Sequence, residues 1–163
     1  MITDNEVVLL QLGREPRGTW RSVVRCRHAA PVVIATRPDL EDGEPFPTLF
    51  WLTCPVLCER VSALESSGAT DAWTDRLASD VDLAAAMGAA DEVYRRLRQA
   101  EAEGADRCST VGIAGQRDPL KVKCLHAHVA AYLAGIADPV GQGALEGVPW
   151  ECDDARCVRG GSV

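Results

Sequence analysis

Cys54 lies where one pattern of side chains ends and another begins. The stretch TLFWLT (48–53) favours a strand, and from Pro55 onward apolar residues recur at helical spacing. Proline suits the first position of a helix because it has no amide hydrogen to lose, which predicts Cys54 as the N-cap. A helix N-terminus stabilises a thiolate, the form that binds metals and attacks electrophiles. Cys54 is therefore a candidate ligand and a weaker candidate catalytic nucleophile, and a small buried core thiol is the alternative.

A second set of chemically capable residues lies in KCLHAH (123–128), which holds two of the chain's three histidines. Apolar spacing predicts one helix over residues 120–135. On that helix Cys124 and His128 lie about 40° apart, whereas His126 lies about 200° from Cys124. The geometry favours His128 as the partner of Cys124. A histidine with satisfied ring nitrogens in the core is the alternative.

Thiol and imidazole donors from two strands and a helix could form one tetrahedral site. Such soft donors suit zinc or an iron-sulfur cluster. The predicted ligands are Cys26, Cys54, Cys124 and either His126 or His128. Lys121 and Lys123 are the only lysines of the chain, and their charge beside Cys124 favours a thiolate there. They are predicted to surround the ligands rather than to bind the metal.

The other cysteines carry weaker signals. Cys58 occupies an apolar position of the predicted helix and is expected in the core. Cys152 and Cys157, spaced C-x4-C in the tail, are expected to be incidental. GIAGQR (112–117) lacks the pattern of a phosphate-binding loop and is expected to be an ordinary loop.

The elements that must position these residues make an α+β fold. A hairpin from 19–27 and 31–36 and a third strand at 48–53 predict a small three-stranded antiparallel sheet. Several helices, beginning with one at 4–12, are expected to pack on it. The length of 163 residues fits a single domain, predicted over 1–150, followed by a flexible tail at 151–163.

Charge and hydropathy narrow the classes of function. A net charge of −7 argues against a large nucleic-acid-binding surface, since such surfaces need an excess of lysine and arginine. Six arginines lie within the first 37 residues, which predicts a solvated strand face or, as the alternative, a site for an acidic partner.

No run is long and apolar enough to span a membrane and no signal peptide is visible, so we expect a cytoplasmic location. In that compartment the seven cysteines are expected as thiols or ligands, and the oligomeric state stays open.

Several stretches together resemble the bacterial, mainly actinobacterial, family of unknown function called DUF501. They include LGREPRG (12–18), DGEPFPTLFWLTCP (42–55), LE-SSG (64–68) and VKCLHAHVA (122–130), and the resemblance extends over about residues 7–150. The family implies no established activity. Its genes often lie beside one for a septum-formation initiator, which implies a protein partner in cell division.

The resemblance also bears on the ligands. It implies that Cys26, Cys124 and His126 match the family pattern and that relatives carry histidine at the place of Cys54. A metal tolerates that exchange, whereas a covalent thiol mechanism does not. It further implies a second histidine of relatives at the place of Ala131, so the choice between His126 and His128 stays open.

The leading hypothesis is a protein with a Cys/His metal site. The second is an interaction module linked to cell division, whose cysteines are buried structural thiols. A third is a thiol-dependent enzyme in which Cys54 is the nucleophile and a histidine the base.

Overall fold

A hairpin and a short edge strand form the sheet of this protein. The computed structural model describes residues 1–150 and 152–158, and within them β1 (Trp20–Arg25), β2 (Pro31–Thr36) and β3 (Phe50–Leu52) pair in the order β1-β2-β3. Both pairings are antiparallel. All six residues of β2 are buried because this strand is central and is covered on both faces. The predicted three-stranded antiparallel sheet is confirmed.

Six α-helices surround the sheet in the described part of the chain, and the single-domain α+β prediction is confirmed. Their bounds follow chain order: α1 (Asp4–Leu12), α2 (Pro55–Ser66), α3 (Ala69–Ser79), α4 (Val81–Glu101), α5 (Leu125–Leu133) and α6 (Pro139–Leu145). A 3-10 turn at Ile113–Gly115 lies between α4 and α5. None of these helices combines the length and apolarity needed to cross a membrane.

The prediction of a helix over 120–135 is wrong at its start, because α5 begins only at Leu125. Cys124 has extended backbone angles, φ −145° and ψ 111°, and is the N-cap. The preceding segment is attached to α3, since the amide of Val122 donates to Thr74 Oγ1 at 3.1 Å. The apolar residue at 122 therefore faces the core from an extended segment rather than from a helical turn.

The 3-10 turn is held against α4 by a buried carboxylate. Asp91 Oδ1 accepts the amide of Ile113 at 2.9 Å, and Asp91 Oδ2 accepts Arg95 Nε at 2.9 Å. A Cβ atom at Gly112 would lie 1.9 Å from Asp91 Oδ1, so only glycine admits this approach. GIAGQR is thus a structural loop, as predicted.

A guanidinium group lies at the centre of the packing between α4 and the loops around it. Arg98 is fully buried, and its Nε donates to Asp106 Oδ2 at 2.8 Å. Its two terminal nitrogens donate to the carbonyl oxygens of Pro47, Cys108 and Val111 at 3.0, 2.7 and 2.6 Å. One side chain therefore attaches the segment before β3 and the loop after α4 to the same helix.

Replacing Arg98 with methionine is expected to destabilise the fold strongly. The change leaves the buried carboxylate of Asp106 without its cation, and breaking a buried pair in this way costs about 3–5 kcal/mol. Urea denaturation followed by circular dichroism measures the loss. Arg96→Met, at an exposed position of the same helix, is the matched control. Equal unfolding midpoints for the two variants would contradict this role of Arg98.

Candidate functional site

Three potential metal ligands meet where the end of α2 lies against the start of α5. Glu65 is the penultimate residue of α2, Cys124 is the N-cap of α5, and His126 lies in its first turn. One ligand atom from each, an oxygen, a sulfur and a nitrogen, lies within 4.8 Å of the other two. Among residues 1–150 and 152–158, no other three His, Cys, Asp or Glu side chains come together in this way.

The exposed amide at the start of α5 explains why Glu65 is there. Glu65 Oε1 accepts the amide hydrogen of Leu125 at 2.7 Å. The first amides of a helix have no partner within it and carry partial positive charge, so a carboxylate is favoured beside them. The Cys124 side chain makes no capping bond, which leaves its thiol available to other groups.

The ring of His126 is held at both nitrogens. Nε2 lies 3.2 Å from the carbonyl oxygen of Cys58 and 3.1 Å from Ser62 Oγ, and Nδ1 lies 3.2 Å from Glu65 Oε1. The carbonyl oxygen of Cys58 and the carboxylate of Glu65 both only accept hydrogen bonds, so the ring satisfies both when each nitrogen carries a hydrogen. A cation that replaced the hydrogen on Nδ1 would leave the other hydrogen on Nε2, facing the carbonyl oxygen.

The neighbours of His126 also favour its charged form when no metal is bound. Hydrogen bonding to the Cys124 sulfur raises the pKa of His126 most, and the Glu65 carboxylate raises it further. Burial acts in the opposite direction, and the resulting pKa is about 9. The three residues can therefore share either a proton on the imidazole or a cation in its place.

A groove of about 460 Å³ opens beside these residues. Cys124 and His126 lie in its lining, together with apolar side chains from β3 that include Phe50 and Leu52. Ala114 of the 3-10 turn also lines it, and its φ of 57° is in the left-handed region that residues other than glycine seldom adopt. The volume is within the range of about 300–1,000 Å³ that is usual for small-molecule sites.

His128 is not part of the group that contains Cys124, although the helical-face argument favoured it. That argument fails because Cys124 precedes α5 instead of forming part of it. His128 is buried, and its Nδ1 lies 2.7 Å from Asp138 Oδ2. The other oxygen of Asp138 caps α6 by accepting the amides of Val140 and Gly141 at 2.9 Å. His128 is thus a satisfied core histidine that joins α5 to α6.

Cys54 is the N-cap of α2, as predicted, but its surroundings do not favour a thiolate. The side chain is buried in the main core. Burial raises the pKa of Cys54 by more than the amides of Val56 and Leu57 lower it. The helix N-terminus is therefore outweighed by loss of water around the sulfur.

Cys26 is half-buried and packs against a small apolar cluster that contains Val7, Ala30 and Cys157. Cys26 and Cys54 thus lie outside the group formed by Glu65, Cys124 and His126.

Burial raises the pKa of Cys58 to about 12, in keeping with its predicted place in the core.

The two lysines differ in their relation to the groove. Both are exposed, but only the side chain of Lys123 is part of the lining, whereas Lys121 is outside it. Glu65, by contrast, was not among the ligands predicted from the sequence. The available signal was its position in the LE-SSG stretch, one of those that carry the family resemblance.

Part of the predicted tail contacts the body of the protein. The carbonyl oxygen of Cys152 lies 3.0 Å from Arg27 Nη2 and 2.9 Å from His28 Nε2. Ala155 and Cys157 are buried. The remaining tail positions, 151 and 159–163, lie outside the described residues.

The arginines near the N-terminus pair with acidic side chains of the same chain. Arg17 contacts Glu44, Arg25 contacts Asp4 at 2.5 Å, and Arg21 contacts Glu101. Arg27 and Arg37 pair with Asp153 and Glu103. These internal pairs offset the positive charge that suggested an acidic partner.

Comparison with known proteins gives one match. The family model DUF501, described as a protein of unknown function, matches residues 22–146. The chain belongs to this family. No curated protein and no solved structure matches it. Glu65, Cys124 and His126 all lie within the matched residues of this DUF501 protein, whereas Cys152 and Cys157 lie beyond them.

In the metal-free protein, His126 is expected to titrate near pH 9, well above the usual value of about 6.5. Cys124→Ser is expected to lower this pKa because it removes the sulfur contact that raises it most. Two-dimensional NMR of the imidazole nitrogens measures the titration. Cys26→Ser, which removes a thiol outside the group, is the control and should leave the pKa of His126 unchanged. A pKa at or below 6.5 in the metal-free wild type would show that the thiol and the carboxylate do not act on this ring.

Proposed function

We propose that this DUF501 protein binds one zinc ion through Glu65, Cys124 and His126 and keeps a fourth coordination position open to the groove. The observation that carries the proposal is the convergence of an oxygen, a sulfur and a nitrogen within 4.8 Å. Zinc accepts all three kinds of donor, and catalytic zinc sites combine three protein ligands with an open position.

The distances suit a shared ion. With zinc bonds of about 2.0 Å to oxygen and nitrogen, two donors at tetrahedral corners lie about 3.3 Å apart. His126 Nδ1 and Glu65 Oε1 are separated by 3.2 Å. The sulfur of Cys124 would be the third donor, and because Cys124 and His126 line the groove, a zinc ion held by them would be reached from it.

Groups that form hydrogen bonds to the ligands support the same assignment. Histidines that bind zinc through one ring nitrogen usually donate the hydrogen on the other ring nitrogen to a carbonyl or carboxylate oxygen, which fixes the tautomer. The carbonyl oxygen of Cys58 has this position relative to Nε2 of His126, and the amide of Leu125 supports Glu65 in a similar manner. The ring therefore presents Nδ1 to the ion without any rotation.

Zinc fits this set better than an iron-sulfur cluster does. Clusters are held mainly by several cysteine thiolates, whereas this group contains one sulfur. An open position on zinc binds water or an anionic group and polarises it. The chain's own residues orient the ligands, and the apolar wall of the groove excludes water from one side of the site.

Zinc analysis of protein purified without chelators tests the proposal. Inductively coupled plasma mass spectrometry is expected to give one zinc per chain. Cys124→Ser, His126→Gln and Glu65→Gln should each lose the ion because each removes one of only three protein ligands.

Two matched controls sharpen this test. Glu59→Gln changes an exposed carboxylate of the same helix α2, and Cys26→Ser removes a thiol outside the group. Both should retain zinc. A wild type without zinc, or zinc lost from Cys26→Ser and retained in Cys124→Ser, would refute the assignment.

A second candidate function, a thiol-dependent enzyme, is supported by the contact between Cys124 and His126. Cys124 is half-buried in the groove beside a histidine that Glu65 orients, the arrangement of nucleophile, base and orienting acid. In this function the nucleophile is Cys124, whereas the sequence suggested Cys54 for that role. Fast alkylation of Cys124 by iodoacetamide at neutral pH in protein purified without zinc would favour this function over the metal site.

A further inference from the structure

The groove contains two cations that the chain itself leaves without partners. The side chains of Arg14 and Lys123 both line it. Within residues 1–150 and 152–158, neither side chain makes an ion pair or a hydrogen bond. Both are exposed, so water solvates them while the groove is empty.

This arrangement contrasts with the rest of an acidic chain. Acidic residues outnumber basic ones, which gives the chain a net charge of −7. Arginines close to Arg14 in sequence form ion pairs with acidic side chains. Arg17 pairs with Glu44, and Arg21 pairs with Glu101. No aspartate or glutamate belongs to the lining of the groove. Among the residues of the lining, basic side chains thus outnumber acidic ones, the reverse of the chain as a whole.

The rest of the lining is mostly apolar. Leu12 from the end of α1, Phe50 and Leu52 from β3, and Ala127 from α5 line it. An apolar wall of this kind gains from covering by an apolar body, at roughly 25 cal/mol per Å² removed from water. A ligand without charge would cover the wall but leave the two cations unpaired and partly stripped of water.

We propose that the groove binds a small amphipathic anion, a molecule with an apolar body and one carboxylate or phosphate group. The apolar body packs on Phe50 and Leu52, and the anionic group interacts with Arg14 and Lys123. Resting on the proposed function, the same anionic group also reaches the open position of the zinc ion. Polyanions such as nucleic acid do not fit, because the net charge of the chain repels them.

Octanoate and octyl phosphate are suitable probes, and isothermal titration calorimetry on the zinc-loaded full chain measures their binding. Each is expected to bind once per chain and more tightly than uncharged octanol. Arg14→Ala and Lys123→Ala should each weaken anion binding about tenfold, as expected for a lost hydrogen bond to a charged group. The tighter of the two anions identifies the preferred head group.

Two substitutions provide matched controls. Lys121→Ala removes an exposed lysine two residues from Lys123 and outside the lining, and Arg117→Ala does the same for an exposed arginine. Both should leave the affinities unchanged. Equal affinities for the groove variants and the controls, or octanol binding as tightly as octanoate, would overturn the inference.

Zinc content measured on the same samples separates the two proposals. Zinc at one per chain with no anion binding overturns the groove inference and leaves the zinc site standing. Anion binding that depends on Arg14 and Lys123 in protein that never takes up zinc supports the anion groove and overturns the zinc site.

Discussion

The buried guanidinium of Arg98 is the interaction on which the arrangement of this domain depends. A charge in that position needs hydrogen-bond partners, and four of its five N–H groups donate to Asp106 and three carbonyl oxygens. Because Pro47 is one of the acceptors, the chain enters β3 at a defined place on α4. The loop that leads to Ala114 is held by the same helix. Two walls of the groove are thereby positioned before any ligand is present.

The wall that α5 contributes depends on how this helix is held at its start and at its middle. Its N-terminus is fixed by the carboxylate of Glu65, and its middle is tied to α6 through His128 and Asp138. The two helices approach so closely that a Cβ atom at Gly141 would lie 2.2 Å from the carbonyl oxygen of His128. His126, between these fixed points, has little freedom to turn away from Glu65.

Sequence patterns were sufficient for the sheet, for the helix at 4–12 and for the start of α2 at Pro55, because strand alternation and helical spacing are local. They failed at Cys124, where an apolar residue at 122 continues a helical period although the backbone there is extended. The argument that favoured His128 over His126 depended on that helical period. Glu65 was not predicted as a ligand because it is 59 positions from Cys124 in sequence, and only the packing of α2 on α5 brings them together. For Cys54, the N-cap position was correct, but the cost of burial depends on neighbours that a local pattern does not contain.

X-ray absorption at the zinc edge of the full chain tests the central claim most directly, since it counts the atoms bound to the ion. The proposed site predicts one sulfur at about 2.3 Å and three nitrogen or oxygen atoms at about 2.0 Å. The same single sulfur should be seen in Cys26→Ser protein, which is expected to retain zinc, because Cys26 lies outside the group. Three or four sulfur neighbours, or loss of the sulfur signal in Cys26→Ser, would contradict a site built from Glu65, Cys124 and His126.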